Sequence, residues 1–279
     1  EALLCRAYGH FILTNIRCQA YSNKTSKTDL GIPYITEPET TVSPKYSRGT
    51  VQDDYEKMEK DIEAGLPLID NGAYTQPAYH FNKKAAYAFA TRFYLYYMQE
   101  DKSNLDKVVQ YASNVLTSKP ENVLCDWKTI GALSPNNNVR ANAYMSTNNT
   151  ANLLILSTYS TWARIYGPYS FGEKYTHNSA ICKYETAKAA GPWGILYFNI
   201  PQYLELPKEI MGKFGEFFEY TDAVNGIGYS HVLYPAFSTD ELLLDRAEAY
   251  ALKGNFIQAC NDMNIFVHNF TSGAPTITD

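Results

Sequence analysis

Between residues 50 and 62 the apolar side chains fall at Val51, Tyr55, Met58 and Ile62, a spacing that brings all of them to one face of an α-helix. Thr50 precedes the run and Asp53 follows three positions on, the pattern of a capping box that satisfies free backbone N–H groups at a helix start. The charged residues between them belong to the opposite, solvated face. Upstream, the segment to about Gln19 predicts a mostly buried helix, with Leu4, Ala7, Tyr8, Phe11, Ile12 and Asn15 close in space. Gly31, Pro33, Pro38 and Pro44 break any helix in the stretch that follows, which is expected to be an extended surface loop. The helix beginning near Thr50 then runs to Gly65 or Pro67. "FNKKAAYAFATRFYLYYM" predicts the next helix, whose Ala85, Ala86, Ala88 and Ala90 allow close approach of a neighbour. Ser103 and Asp106 suggest a second capping box, opening a helix that runs to Pro120.

The pattern returns near the C-terminal end. Ser238 and Glu241 suggest a third capping box, Gly254 a C-cap and Asn255 the start of a second helix. Leu243, Ala247, Tyr250, Gly254, Phe256, Ala259, Met263 and Phe266 follow the register of a tetratricopeptide hairpin, with Ala247, Tyr250, Ala259 and Met263 expected to be buried. Leu105, Val108, Ala112, Val115 and Pro120 fit the second half of another such unit. Repeated hairpins of this kind stack because each buries its apolar face on a neighbour. Between these regions, residues 121–237 have a different texture, rich in Asn, Gly, Pro and aromatics and weak in periodicity. So long a structureless insert does not occur in a compact domain, so short helices and strands packed on the helical frame are expected there. Loops on a rigid frame are where function concentrates. The expected fold class is mainly α: tetratricopeptide-like hairpins packed with an irregular, loop-rich subdomain. The expected organisation is one domain over 1–279, with a helical repeat region at 1–120, a loop-rich ligand-binding region at 121–237 and a helical hairpin at 238–270.

Composition narrows the function. The formal net charge is −5, and nucleic-acid binding, which needs a basic face, is not expected. Charged residues make up 19% and aromatics 14%, with 24 Tyr among 279 residues, a surface chemistry that suits neutral, hydroxyl-rich ligands. Cys5, Cys18, Cys125, Cys182 and Cys260 show no CxxC pair and no zinc spacing, and most are expected to be small buried residues. The uncharged stretch from Ala141 to Ala163 is too rich in Ser, Thr and Asn for a membrane span. The chain opens on "EALLCRAYGHF", inside a predicted helix and without Met, as a fragment or processed chain would.

No motif for catalysis, cofactor or metal emerges. His10, His80, His177, His231 and His268 are isolated, and no HExxH occurs. "GPYSFG" fails as a hydrolase elbow because Pro168 stands where glycine is required. "NGIGYSH" lacks the third glycine of a dinucleotide fingerprint and follows no clear strand. Glu241, Asp245 and Glu248 share a helical face, but Arg246 and the capping role of Glu241 suggest a solvated surface. No carboxylate pair at glycosidase separation is called for, so no turnover of glycosides or esters is expected.

The aromatics offer more. Trp162, Tyr166, Tyr169, Trp193, Tyr197 and Phe198 sit beside Gly and Pro rather than on a periodic stripe. They either fill the core of the irregular region or form a stacking platform for a sugar, whose C–H face packs on a ring while its hydroxyls meet polar groups such as Arg164 and nearby Asn. Trp193, in "GPWG", is placed on a turn.

"EALLCRAYGHFILTNIRCQAYSN" followed by "DLGIPYITEP", the Arg48-x-Thr50-Val51-x-x-x-Tyr55 helix ending in Asp61-Ile62, "FNKKAAYAFATRFYLYY", and "FSTDELLLDRAEAYALKGNFIQACNDMN" together resemble the SusD/RagB family. The resemblance implies a surface lipoprotein of Bacteroidetes that binds oligosaccharide and delivers it to a TonB-dependent, SusC-like outer-membrane transporter. In that family the helices pack on the transporter and the loops hold ligand. Trp162, Arg164, Tyr166, Tyr169, Trp193 and Tyr197 are the residues of the loop-rich region expected to bind ligand, on the local composition described above. Two departures stand out: the lipid-bearing N-terminal Cys is absent, so any membrane contact would be through an anchor outside this chain, and the chain stops at "TSGAPTITD", where more family sequence is expected. The alternative is a peptide-binding or protein-interaction scaffold of the same architecture.

Overall fold

The computed structural model describes residues 1–134, 137–160, 177–185, 188–189, 193–198, 209 and 213–278. Among them helix dominates and the sheets are small, as the mainly α expectation has it. The chain divides into two compact units, Glu1–Ser118 with Glu241–Ala259, and Lys119–Asp240 with Cys260–Asp279. No described helix is long and apolar enough to cross a membrane.

The first unit is built on α1 (Ala2–Arg17) packed on α2 (Val51–Gly65), and α3 (Lys83–Tyr96) packed on α4 (Asn104–Leu116). Val51, Tyr55, Met58 and Ile62 are all fully buried, as the periodicity requires. Thr50 caps α2 reciprocally: its Oγ1 accepts from Asp53 N–H at 3.1 Å, and its own N–H donates to Asp53 Oδ2 at 2.9 Å. The residues that carry the family resemblance prove to be structural. Arg48 Nε donates to the Gly31 carbonyl at 2.6 Å, and Ile32 N–H donates to Asp54 Oδ2 at 2.8 Å. A Cβ on Gly31 would lie 2.4 Å from that carboxylate, so only glycine fits the loop here. Arg6 forks onto both oxygens of Asp61 at 2.7 and 2.6 Å, and Tyr34 O–H donates to the same group at 2.7 Å. Burial opposes the Asp61 charge, yet the hydrogen bonds from Arg6 and Tyr34 prevail and hold its pKa below the usual carboxylate value. His10 sits beside this pair, accepting at Nε2 from Ile35 N–H and donating from Nδ1 to the Arg6 carbonyl.

Several expectations are corrected. Ser103 does not cap α4: its backbone is helical and its side chain accepts no capping bond, since the Asp106 N–H donates to the Ser103 carbonyl at 3.2 Å, while the Ser103 N–H goes to Asp101 Oδ1 at 2.9 Å and not to Asp106. The helix ends at Leu116, where Thr117 turns left-handed (φ 61°), before Pro120. The acidic face of α8 (Thr239–Leu252) is not simply solvated. Glu241 is gripped by Arg92 at 2.6 and 2.7 Å, Arg246 is buried and donates to Ser113 Oγ, and half-buried Asp245 has its pKa pushed up to about 7, by burial first and by Glu241 second. Of the five cysteines, all free, only Cys125 and Cys182 are buried; Cys5 is exposed and the other two are half-buried.

Gly254, at φ 79°, ends α8 as expected, and α9 (Phe256–Phe270) follows. Ala247 and Ala259 are buried, whereas Tyr250 and Met263 are half-buried.

The second unit holds a core of Cys125, Trp127, Ile130, Ala151 and Phe198, with Tyr144, Tyr197 and Phe270 against it. It contains the short helices α5 (Trp127–Ala132), α6 (Asn137–Tyr144) and α7 (Ser179–Tyr184) together with strands. β1 (Asn152–Tyr159), β3 (Glu216–Asp222) and β4 (Ile227–Ser238) form an antiparallel sheet in the order β1-β4-β3, and β2 (Ile195–Leu196) pairs with β5 (Thr271–Ser272). Lys213 Nζ lies 4.5 Å from the Trp127 ring centre and 5.6 Å from that of Tyr144, and burial lowers its pKa. The Asp240 carboxylate, raised by burial, accepts from Trp127 Nε1 at 3.1 Å.

Candidate binding surface

Trp193 stands on the turn before β2 with 55% of its surface exposed. The turn is held by pairing of Ile195 with Ser272 and of Leu196 with Thr271. That pairing needs Gly194 at φ 81°, where a Cβ would lie 2.5 Å from the Ser272 carbonyl oxygen. A side chain of this size presented to solvent by a pinned backbone loses little entropy on binding. Tyr197, two residues beyond β2's first residue, donates its N–H to the Phe270 carbonyl and packs half-buried against the core. Phe198 is buried edge-on to Trp127, so for Phe198 the core-filling alternative holds. Trp162, Arg164, Tyr166 and Tyr169 lie outside the described residues.

The three-stranded sheet adds an aromatic surface that sequence reasoning missed. Its root is apolar and buried, through Leu153, Leu154 and Ile155 on β1 and Ala236 and Phe237 on β4. Toward the other end, His231 is in register with both Tyr159 and Phe217, which places all three on one face. Tyr229, on the same face, lies 5.0 Å from Tyr159 and 6.1 Å from His231 between ring centres, and Phe217 lies 5.8 Å from His231. Tyr229 O–H donates to Glu219 Oε2 at 2.7 Å, which raises the phenol's pKa and fixes the carboxylate at the edge of the aromatic row. Tyr159 is 76% exposed. The opposite face carries Phe218 and Tyr220, edge to face at 4.9 Å and both exposed. Aromatics exposed on both faces of its outer end make the sheet a candidate binding surface. "NGIGYSH" turns out to follow a strand after all, but it closes the β3–β4 hairpin instead of opening a helix. The signal was the two-residue alternation of Phe217 with Glu219 and of Tyr229 with His231, too short to stand out beside so many other aromatics. Among the described residues no three His, Cys, Asp or Glu side chains gather to hold a metal.

Residues 1–95 match a SusD-like family profile described as "Starch-binding associating with outer membrane". A search of curated proteins gives no match. Among solved structures, the fold is similar to a SusD superfamily protein from Bacteroides thetaiotaomicron VPI-5482, with 19% identity, 98% of this chain and 58% of that one covered, and a TM-score of 0.62. It is similar also to a SusD-like carbohydrate binding protein from Bacteroides vulgatus ATCC 8482, with 16% identity, 100% and 55% covered, and a TM-score of 0.62. Surface glycan-binding protein A from Bacteroides uniformis aligns at 12% identity over 99% of this chain and 60% of its own, with a TM-score of 0.53. The chain thus resembles SusD-like proteins, in sequence over residues 1–95 and in fold over the part aligned, and spans less than two thirds of the length of these structures.

Proposed function

We propose that this chain is the ligand-holding part of a cell-surface nutrient-binding protein, that its ligand is a neutral oligosaccharide, and that it passes the ligand to a TonB-dependent, SusC-like transporter in the outer membrane. The observation that carries the ligand class is Trp193, exposed on a turn whose backbone is fixed by strand pairing. The aromatic row of the sheet, edged by Glu219, supports the same class, since sugar rings stack on aromatic faces while carboxylates accept from hydroxyls. The protein binds and does not turn over its ligand. Transfer to a transporter and anchoring at the outer membrane rest on the SusD-like sequence match and fold.

The test is titration of the purified chain with maltoheptaose, xylohexaose and mannohexaose, followed by calorimetry. Trp193→Ala should weaken binding of the preferred oligosaccharide about ten-fold or more, roughly 1.4 kcal/mol, and leave the helical circular dichroism signal intact. Loss of the helical signal would make Trp193 a packing residue, and unchanged affinity in a folded variant would place the platform elsewhere. A peptide-binding scaffold would leave all three oligosaccharides unbound.

A further inference from the structure

The first unit carries an open groove of about 490 Å³, lined by Tyr21, Asn23, Lys27, Gln52, Gln99 and Asp101, with Glu100 and Ser103 at its rim. Its size lies within the range of about 300–1,000 Å³ usual for small-molecule sites. The floor is rigid. The Tyr21 ring packs 5.1 Å from that of Tyr55 and 4.8 Å from that of Tyr97, and its hydroxyl donates to Gln52 Oε1 at 2.9 Å. Gln52 Nε2 in turn donates to Glu56 Oε1 at 2.7 Å, which fixes the amide's orientation. Asn23 Nδ2 donates to the Met98 carbonyl at 3.0 Å, holding the second amide.

The rim is built at a conformational cost. Lys102 is left-handed at φ 58°, a region that a residue with a long side chain rarely enters. Three bonds hold it there: its N–H to the Gln99 carbonyl at 2.9 Å, its Nζ to the Leu252 carbonyl at 2.9 Å, and the Ser103 N–H to Asp101 Oδ1 at 2.9 Å. The turn so formed sets Gln99, Glu100 and Asp101 along one side of the groove. The hydrogen bond from Ser103 lowers the Asp101 pKa, keeping that carboxylate ionised.

The lining selects a ligand class. An apolar molecule would find only the Tyr21 ring. An anion would be repelled by Glu100 and Asp101, and the attraction those carboxylates offer a cation is offset in part by Lys27. Amides that donate and accept, together with carboxylates that accept, match a neutral molecule bearing many hydroxyls, each of which both donates and accepts. A C–H face on that molecule suits the Tyr21 ring. We propose that this groove is a second saccharide-binding site, taking one or two rings of a neutral sugar, separate from the aromatic surface of the other unit and independent of Trp193.

Side-chain amide NMR resonances of Asn23, Gln52 and Gln99 report on the groove directly. Glucose, galactose, mannose, xylose and maltose are titrated in turn into the wild-type chain, Trp193→Ala and Gln99→Ala/Glu100→Ala. At least one sugar should move the Asn23 and Gln52 resonances saturably, equally in wild type and Trp193→Ala. The double variant, in which neither side chain packs in the core, should lose at least five-fold in affinity with an unchanged circular dichroism spectrum. No saturable movement with any of the five sugars overturns the proposal, as does wild-type affinity in the double variant. Loss of the shifts in Trp193→Ala would assign the binding to the other surface and also overturn it. Shifts that persist while Trp193→Ala binds long oligosaccharides normally would leave the groove standing and remove only the Trp193 site.

Discussion

Asp245 shows how much one residue's surroundings decide. Its neighbours on α8, Glu241 and Glu248, repel its charge, Arg92 attracts it, and burial outweighs both, so its pKa rises from 3.8 to about 7. A carboxylic acid with a raised folded-state pKa favours folding where it is protonated. That stability is fully present below the unfolded pKa near 4 and is lost as pH rises through about 7. Asp245→Asn removes the charge and keeps the shape. The variant should therefore match wild type at pH 4 and exceed it at pH 8 by about 2 kcal/mol. The whole rise to about 7 would give more, but a half-buried side chain is partly screened. Urea unfolding at the two pH values measures this, and an equal difference at both would show that Asp245 does not titrate with folding.

At the scale of elements, α2 is the clearest case of sequence dictating structure. Its apolar spacing predicted the buried face, and its capping box forms with both bonds in place. Thr50→Ala removes the acceptor for the Asp53 N–H and should lower the urea midpoint by the equivalent of about 1 kcal/mol; no change would mean that the Leu30–Thr50 bridge alone fixes the helix start. The same rule misled at Ser103, because a short acidic turn offered Asp101 as a competing acceptor, and sequence spacing does not reveal which oxygen prevails. Strands β3 and β4 were missed for a different reason. Their alternation is masked on β3, where aromatic residues occupy both faces, as Phe217 and Phe218 do, and the period-two signal that remains is too short to stand out. The turn at Trp193 was legible because Gly and Pro flank it, whereas the groove of the first unit gathers residues from three separated stretches of chain, which no local pattern marks.

At the scale of the whole molecule, charge distinguishes the ligand classes. The formal net charge is −5, and neither the aromatic row nor the groove presents a concentrated charge of one sign. Exposed charges are largely screened beyond roughly 10 Å at about 0.1 M salt, so a ligand held by long-range attraction loses affinity as salt rises. A neutral saccharide, held by ring stacking and hydrogen bonds at contact distance, has no such attraction to lose. The dissociation constant for the preferred oligosaccharide should therefore change by less than about two-fold between roughly 50 mM and 500 mM sodium chloride. Calorimetry at the two salt concentrations, on one protein preparation, checks it. A ten-fold weakening at high salt would indicate a charged ligand, with Lys27, Glu100, Asp101 or Glu219 carrying the recognition in place of the rings, and would count against both the Trp193 surface and the groove as sites for neutral sugars.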